Sequence, residues 1–264
     1  MKKKFLATIL VLCIVCSLIS LVACDGKVIP VESIVLEDTD ITLENGEEYT
    51  LKFTVTPANG KICFSYDDTL LDYTVVSDGV VKIKTHGSGS GRFRISSAKD
   101  SNLFAECNVT VALPQGYSQY KDTNYGVKFA YPSTWKKSTQ ASTAAVAYQD
   151  ASGLNNINLI VQNKSNEMFN VESNYYKNLL ESQYKQKGYT VTFHNYEFKK
   201  YDNNKALRVV MDYSLSYLGI SAHIYQEQYI RNSSKKSLAL TLTMSGDEVD
   251  EELRDTILKE FYAW

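Results

Sequence analysis

Leu113-Pro114-Gln115-Gly116 is where the chain changes character. A Pro and a Gly within four residues punctuate the backbone and suit a connection better than a helix or strand. Composition differs on the two sides. Residues 24–114 hold 14 acids and 8 bases, whereas 115–264 hold 16 acids and 17 bases. Only three of the 19 tyrosines precede residue 115. A chain of 264 residues is long enough for two ordinary domains, and the break divides it into them. The change predicts few contacts across 113–117 and independent folding of 28–113 and 117–264.

Upstream of the break, short apolar or alternating runs at 34–36, 41–43, 50–55, 61–65, 72–76, 80–84, 92–96 and 104–111 read as strands. Asn45-Gly46, Pro57-Ala58-Asn59-Gly60, Asp78-Gly79 and Gly87-Ser88-Gly89-Ser90-Gly91 supply turns between them. Turn chemistry at this short spacing, with no helical period, predicts an all-β sandwich. Ile34-Val35-Leu36, Gly46-Glu47, Ile62-Cys63-Phe64-Ser65, Asp78-Gly79-Val80-Val81 and Cys107-Asn108-Val109-Thr110-Val111 resemble a group 2 bacterial immunoglobulin-like domain over about 28–113. Phe64 stands where that family usually has Trp, so the resemblance gives it a core slot. It also implies a surface spacer or adhesive module and no chemistry.

Downstream, strands are predicted at 127–131, 144–148, 157–161, 189–198, 206–217, 220–230 and 238–244. Asn170 offers a helix N-cap, Val171, Tyr175, Leu179 and Leu180 follow at helical spacing, and Gly188 closes that helix. A last helix starts near Glu248, its acids favouring the helix dipole. Its apolar stripe is Val249, Leu253, Ile257, Leu258 and Phe261. This order predicts an α+β region, an antiparallel sheet flanked by helices. Tyr125-Gly126-Val127-Lys128-Phe129-Ala130-Tyr131-Pro132-Ser133-Thr134-Trp135 resembles the opening of PsbP-like domains. Leu258-Lys259-Glu260-Phe261 matches the Phe-bearing last helix with which they commonly end. The resemblance implies that fold, and no functional residue carries over.

At the N-terminus, Lys2, Lys3 and Lys4 precede an apolar run over 5–22, and Leu21-Val22-Ala23-Cys24 resembles a bacterial lipobox. The layout is that of a secretory signal. The expected organisation is a lipoprotein signal peptide at 1–23, a tether at 24–30, the sandwich at 31–113, a linker at 114–118 and the α+β domain at 119–264. Lipidation falls on Cys24, anchoring the chain outside the cytoplasmic membrane. An uncleaved transmembrane anchor is the alternative, because about 18 apolar residues can just span a bilayer. Cleavage removes Cys13 and Cys16. Of the remaining pair, strand parity turns Cys63 outward and Cys107 inward, which argues against a bridge.

The net charge of −2 and a pI near 6.0 give no basic field for nucleic acid. The Gly87–Gly91 run is followed by neither a helix nor Gly-Lys-Ser/Thr, so it lacks the context of a phosphate cradle. No Gly-x-Ser-x-Gly elbow occurs. Asp67-Asp68 and the acids Asp247, Glu248, Asp250, Glu251 and Glu252 lack a calcium-loop spacing. No cofactor, metal site or catalytic residue is expected. His223 shares a strand face with Ser221, Tyr225, Glu227 and Tyr229, and His194 one with Thr192, Tyr196 and Phe198. Tyr225, Tyr229 and His223 are the candidate partner contacts, since Tyr is favoured at interfaces. The competing reading packs those rings under a helix with wet hydroxyls. The expected function is non-catalytic: a lipid-anchored surface protein that binds or displays an envelope protein or polysaccharide. The alternative is an envelope ligand-binding or complex-assembly lipoprotein acting through a pocket in the distal domain.

Overall fold

In the first region, β-branched residues alternate with polar ones between tight turns, and eight strands form where that pattern occurs. They are β1 (Ser33–Leu36), β2 (Asp40–Leu43), β3 (Glu48–Thr56), β4 (Ile62–Tyr66), β5 (Leu71–Ser77), β6 (Val80–Thr85), β7 (Gly89–Ser97) and β8 (Phe104–Val111). The structure is a computed structural model. It describes residues 29–264 except 140–143, 167–169, 173, 202–203, 218–219 and 247–249. Two four-stranded sheets result, ordered β1-β3-β6-β5 and β2-β8-β7-β4. Their pairings are antiparallel apart from β2 with β8. Leu51, Phe53, Val81 and Ile83 of one sheet share a core with Phe93, Ile95, Cys107 and Val109 of the other. Cys107 is buried, Cys63 is exposed, and both thiols are free.

Two details differ from expectation. β7 begins at Gly89, so the second half of the Gly-Ser run is strand, with Gly91 opposite Val109. A Cβ at Gly91 would sit 2.8 Å from Asp67 Cβ, so the close passage of these backbones requires glycine. Phe64 is only half-buried. Its ring lies 5.1 Å from Tyr73 and 5.9 Å from Phe93, and it lines an apolar groove of about 420 Å³ with Val55, Ile62 and Val75. Phe64→Ala should therefore cost about 2 kcal/mol, less than the usual ~3–5 for a fully buried Phe. Urea unfolding checks this; a loss above ~4 would put the ring in the core proper.

The second region comprises β9 (Tyr117–Asp122), β10 (Val127–Pro132), β11 (Lys136–Lys137), β12 (Val146–Gln149), β13 (Asn156–Asn163) and α1 (Tyr175–Gln186). It continues with β14 (Val191–Tyr201), β15 (Asn204–Tyr217), β16 (Ile220–Asn232), β17 (Lys236–Ser245), α2 (Glu251–Glu260) and β18 (Tyr262–Ala263). Seven strands form one antiparallel sheet, β11-β12-β13-β17-β16-β15-β14, and a small sheet runs β18-β10-β9. The region is mostly strand; among the described residues two helices join it. Leu180 and Tyr176 of α1 pack on Leu207, Val209, Met211 and Ile230. On the opposite face Ile257 and Leu258 of α2, with Phe261, pack on Tyr229, Leu240, Leu242 and Phe129. α1 starts later than Asn170 predicted: Asn174, at φ 51, takes the N-cap position. Gly188 ends it at φ 82. Asp250 caps α2, its carboxylate accepting from Glu252 N and Leu253 N. Val249 lies outside the described residues.

The partners of His194 correct its expected face. β14 pairs Phe193 with Met211 and then Asn195 with Val210, leaving His194 as the extra residue of a β-bulge. A bulge reverses side-chain parity beyond it. Val191, Phe193, Tyr196 and Phe198 therefore all lie under α1, while His194 bonds to Asp212 on the other face.

Among the described residues no strand pairing links the two regions, but a set of side-chain contacts joins them. Glu260, at the end of α2 and 1% exposed, accepts hydrogen bonds from Ser88 N and Oγ, both 2.8 Å, and from Asn45 Nδ2 at 2.9 Å. Asn45 also donates to Lys259 O and accepts from Gly87 N. Lys128 Nζ and Gln119 Nε2 donate to Ser88 O at 3.1 and 2.9 Å. Tyr262 stacks on His86 with centroids 4.2 Å apart. A Cβ at Gly87 would lie 2.5 Å from Lys128 Cε. Burial lowers the Lys128 pKa to about 8, with the Glu260 charge opposing that shift. The run that lacked a phosphate cradle's context thus does hold an anion, the carboxylate of this chain's own helix.

Candidate functional site

The face of the seven-stranded sheet under α1 is apolar at one end and polar in the middle. Residues 226, 228 and 230 of β16 point to it, and the first two are Gln. Register then assembles a floor. Gln149, Asn156, Thr243 and Gln226 align across β12, β13, β17 and β16. Ala147, Asn158, Thr241 and Gln228 form the next row. Above these rows is a pocket of about 330 Å³, also lined by Ser138, Ile160 and Tyr184; among the described residues that line it none is charged.

Helix α1 fixes the amides. Tyr176 OH donates to Gln228 Oε1 at 2.8 Å, and Tyr184 OH donates to Gln226 Oε1 at 2.7 Å. Gln226 Nε2 donates to Thr243 Oγ1 at 3.0 Å. Asn158 Nδ2 donates to Asn156 Oδ1 at 3.3 Å. Burial raises the pKa of both tyrosines, so their hydroxyls remain donors at any physiological pH. Gln228 is 6% exposed and borders the pocket, and its one side-chain bond among the described residues is that of Oε1 with Tyr176. These are positioned donors and acceptors.

The other face holds the residues expected to contact a partner, and there the expectation needs correction. Tyr229 is 1% exposed, its ring is in the α2 core, and its hydroxyl donates to Glu227. Tyr225 is half-buried, stacks on His194 and donates to Glu227 Oε1 at 3.3 Å. The cause is the apolar stripe of α2, which covers odd-numbered residues of β16. Glu227 has no exposure and pairs bidentately with Arg208 at 3.1–3.2 Å. His223 keeps 35% of its side chain exposed and lies 3.3 Å from Asp212. Burial works against the Asp212 carboxylate, but hydrogen bonds from His194 and then His223 outweigh it and lower its pKa. Tyr225, Tyr229 and His223 thus border one buried polar network, not a flat aromatic patch.

The remaining candidates carry structure. Asp67 Oδ1 accepts from Thr69 N and Oγ1, closing its own turn. Among the described residues no group of three His, Cys, Asp or Glu is arranged to hold a metal, and no helix is long and apolar enough to cross a membrane. Cys24 and residues 247–249 lie outside the described residues. The sequence-based contact candidates all lie on the odd-numbered face of β16, whereas the pocket amides lie on the even-numbered one. The available signal was Ile224-x-Gln226-x-Gln228-x-Ile230, two amides within an otherwise apolar row.

No protein-family model matches the sequence, and no curated protein is similar to it. Among solved structures, the solution structure of cyanobacterial PsbP (CyanoP) from Synechocystis sp. PCC 6803 is similar. The match covers 56% of this chain and 93% of that one at 17% identity, with a TM-score of 0.45. A crystal structure from Bacteroides thetaiotaomicron matches 57% of this chain and 49% of its own at 9% identity, with a TM-score of 0.37. At these values the likeness bears on neither activity nor partner.

Proposed function

We propose that this is a lipid-anchored protein of the bacterial envelope whose PsbP-like second region holds a small polar ligand in the pocket under α1. The first, immunoglobulin-like region serves as its spacer. The observation that supports this over display of an aromatic surface is the amide floor. Gln226 and Gln228 are fixed by tyrosine hydroxyls above a 330 Å³ pocket, and convergent, preset polar groups in a cleft are what a binding site requires. Tyr229, the ring on which an aromatic contact surface depended, is interior.

A thermal-shift screen of neutral metabolites against the chain from residue 25 onward tests the pocket. A hit should be weakened about tenfold or more by the double variant Gln228→Leu with Asn158→Leu, which removes two hydrogen-bonding groups. Hits indifferent to that variant would move the site elsewhere. Anchoring is tested separately: Cys24→Ala should give unprocessed or shed protein, and acylated mature protein from the variant would overturn the anchor.

A further inference from the structure

We infer that the pocket takes an uncharged, polyhydroxylated ligand, a short segment of neutral glycan; this rests on the pocket being the ligand site. The first ground is charge. A carboxylate, phosphate or ammonium entering the pocket would give up its hydration with no opposite charge among the described lining side chains to replace it. The nearest cation in the register, Lys136 opposite Gln149, is exposed and outside the lining.

The second ground is hydrogen-bond valence. Each side-chain amide offers both a donor and an acceptor. Tyr176 occupies the Gln228 carbonyl and Asn158 donates to the Asn156 carbonyl, which leaves Gln228 Nε2 and Asn156 Nδ2 as donors and Asn158 Oδ1 as an acceptor. Thr241 between them adds a hydroxyl that can do either. One row across β13, β17 and β16 thus presents an acceptor, a hydroxyl of either kind and a donor, at the strand spacing of about 4.8 Å. Sugar hydroxyls, which donate and accept at once, match such an array. The third ground is the scarcity of apolar wall. Ala147 and Ile160 are small patches, and the Tyr184 ring packs 4.8 Å from Tyr213. A flat aromatic or lipid ligand would find too little apolar surface.

The test is an NMR titration of the ¹⁵N-labelled chain from residue 25 onward. The probes are cellobiose, maltose and diacetylchitobiose, then glucuronate, then an acetylated dipeptide amide. The expected result is that at least one neutral disaccharide shifts the side-chain NH₂ signals of Gln228 and Asn156. Glucuronate should bind at least tenfold more weakly, and Gln228→Leu should weaken the disaccharide about tenfold. If glucuronate or the dipeptide amide shifts those signals and no disaccharide does, the glycan assignment fails and the pocket stands. If no probe moves them, the glycan assignment is overturned; whether the pocket binds anything then depends on the metabolite screen alone.

Discussion

Glu260→Ala should lose about 3–5 kcal/mol and split a single unfolding transition into two. The carboxylate is the shared acceptor for Ser88 N, Ser88 Oγ and Asn45 Nδ2. Truncation strands those donors away from water and leaves the Lys128 charge buried without its counter-charge. The joint between the two regions should open first, and each region should then unfold alone. Lys128→Met should behave differently. Glu260 keeps its three donors in that variant, so the loss should be smaller, although the carboxylate is left buried without its cation.

The two variants also differ with pH. The folded-state pKa of Lys128 is about 8 against an ordinary 10.5, so the folded chain releases that proton first. Between those values the unfolded chain binds more protons, and wild-type stability rises with pH relative to Lys128→Met. The difference between wild type and the Met variant at pH 7 should therefore move in favour of wild type by pH 10. Urea unfolding at both pH values checks this. If Lys128→Met loses as much as Glu260→Ala and shows no such pH-dependent change, the cation is a required partner in the joint.

Glu227→Ala should also cost about 3–5 kcal/mol, by a different route. Glu227 is the acceptor for the Arg208 guanidinium and for the Tyr225 and Tyr229 hydroxyls, inside the layer between sheet and α2. Removing it strands the largely buried Arg208 guanidinium, the buried Tyr229 hydroxyl and that of half-buried Tyr225, with only Glu197 among the described carboxylates left near Arg208, at 3.7 Å. Glu227→Gln keeps the volume and one acceptor, and should lose less than the Ala variant. Unfolding of both variants by urea is the measurement. A loss below ~1 kcal/mol for Glu227→Ala would mean that Arg208 and the tyrosines find other partners in water.

The strands of the first region were legible because alternation and turn residues are local signals, and β1 to β8 arise where they occur. Gly188 and the acids before Leu253 likewise mark helix ends through local backbone chemistry. What escaped is what depends on register or on distance along the chain. The bulge at His194 exists only relative to β15, so parity counted along β14 alone gives the wrong face for Tyr196 and Phe198. Which side of β16 meets which helix is set by packing, so Tyr229 read equally well as contact or core. The pocket rows join strands between residues 147 and 243, and the bond between Ser88 and Glu260 spans 172 positions. The composition break at Leu113 marks where two sheet systems meet and gives no hint that they adhere.

The Glu260 cradle also determines how a pull would travel through the molecule. A connection of a few residues by itself would act as a string, transmitting tension and swivelling freely. Here Ser88, Asn45 and Tyr262 lie in parallel with that thread and resist bending and twist. Tension applied at the N-terminal end is then shared between covalent chain and polar joint. Turning one region against the other would have to break those bonds, so the joint opposes free swivelling of the pocket mouth about residues 113–117.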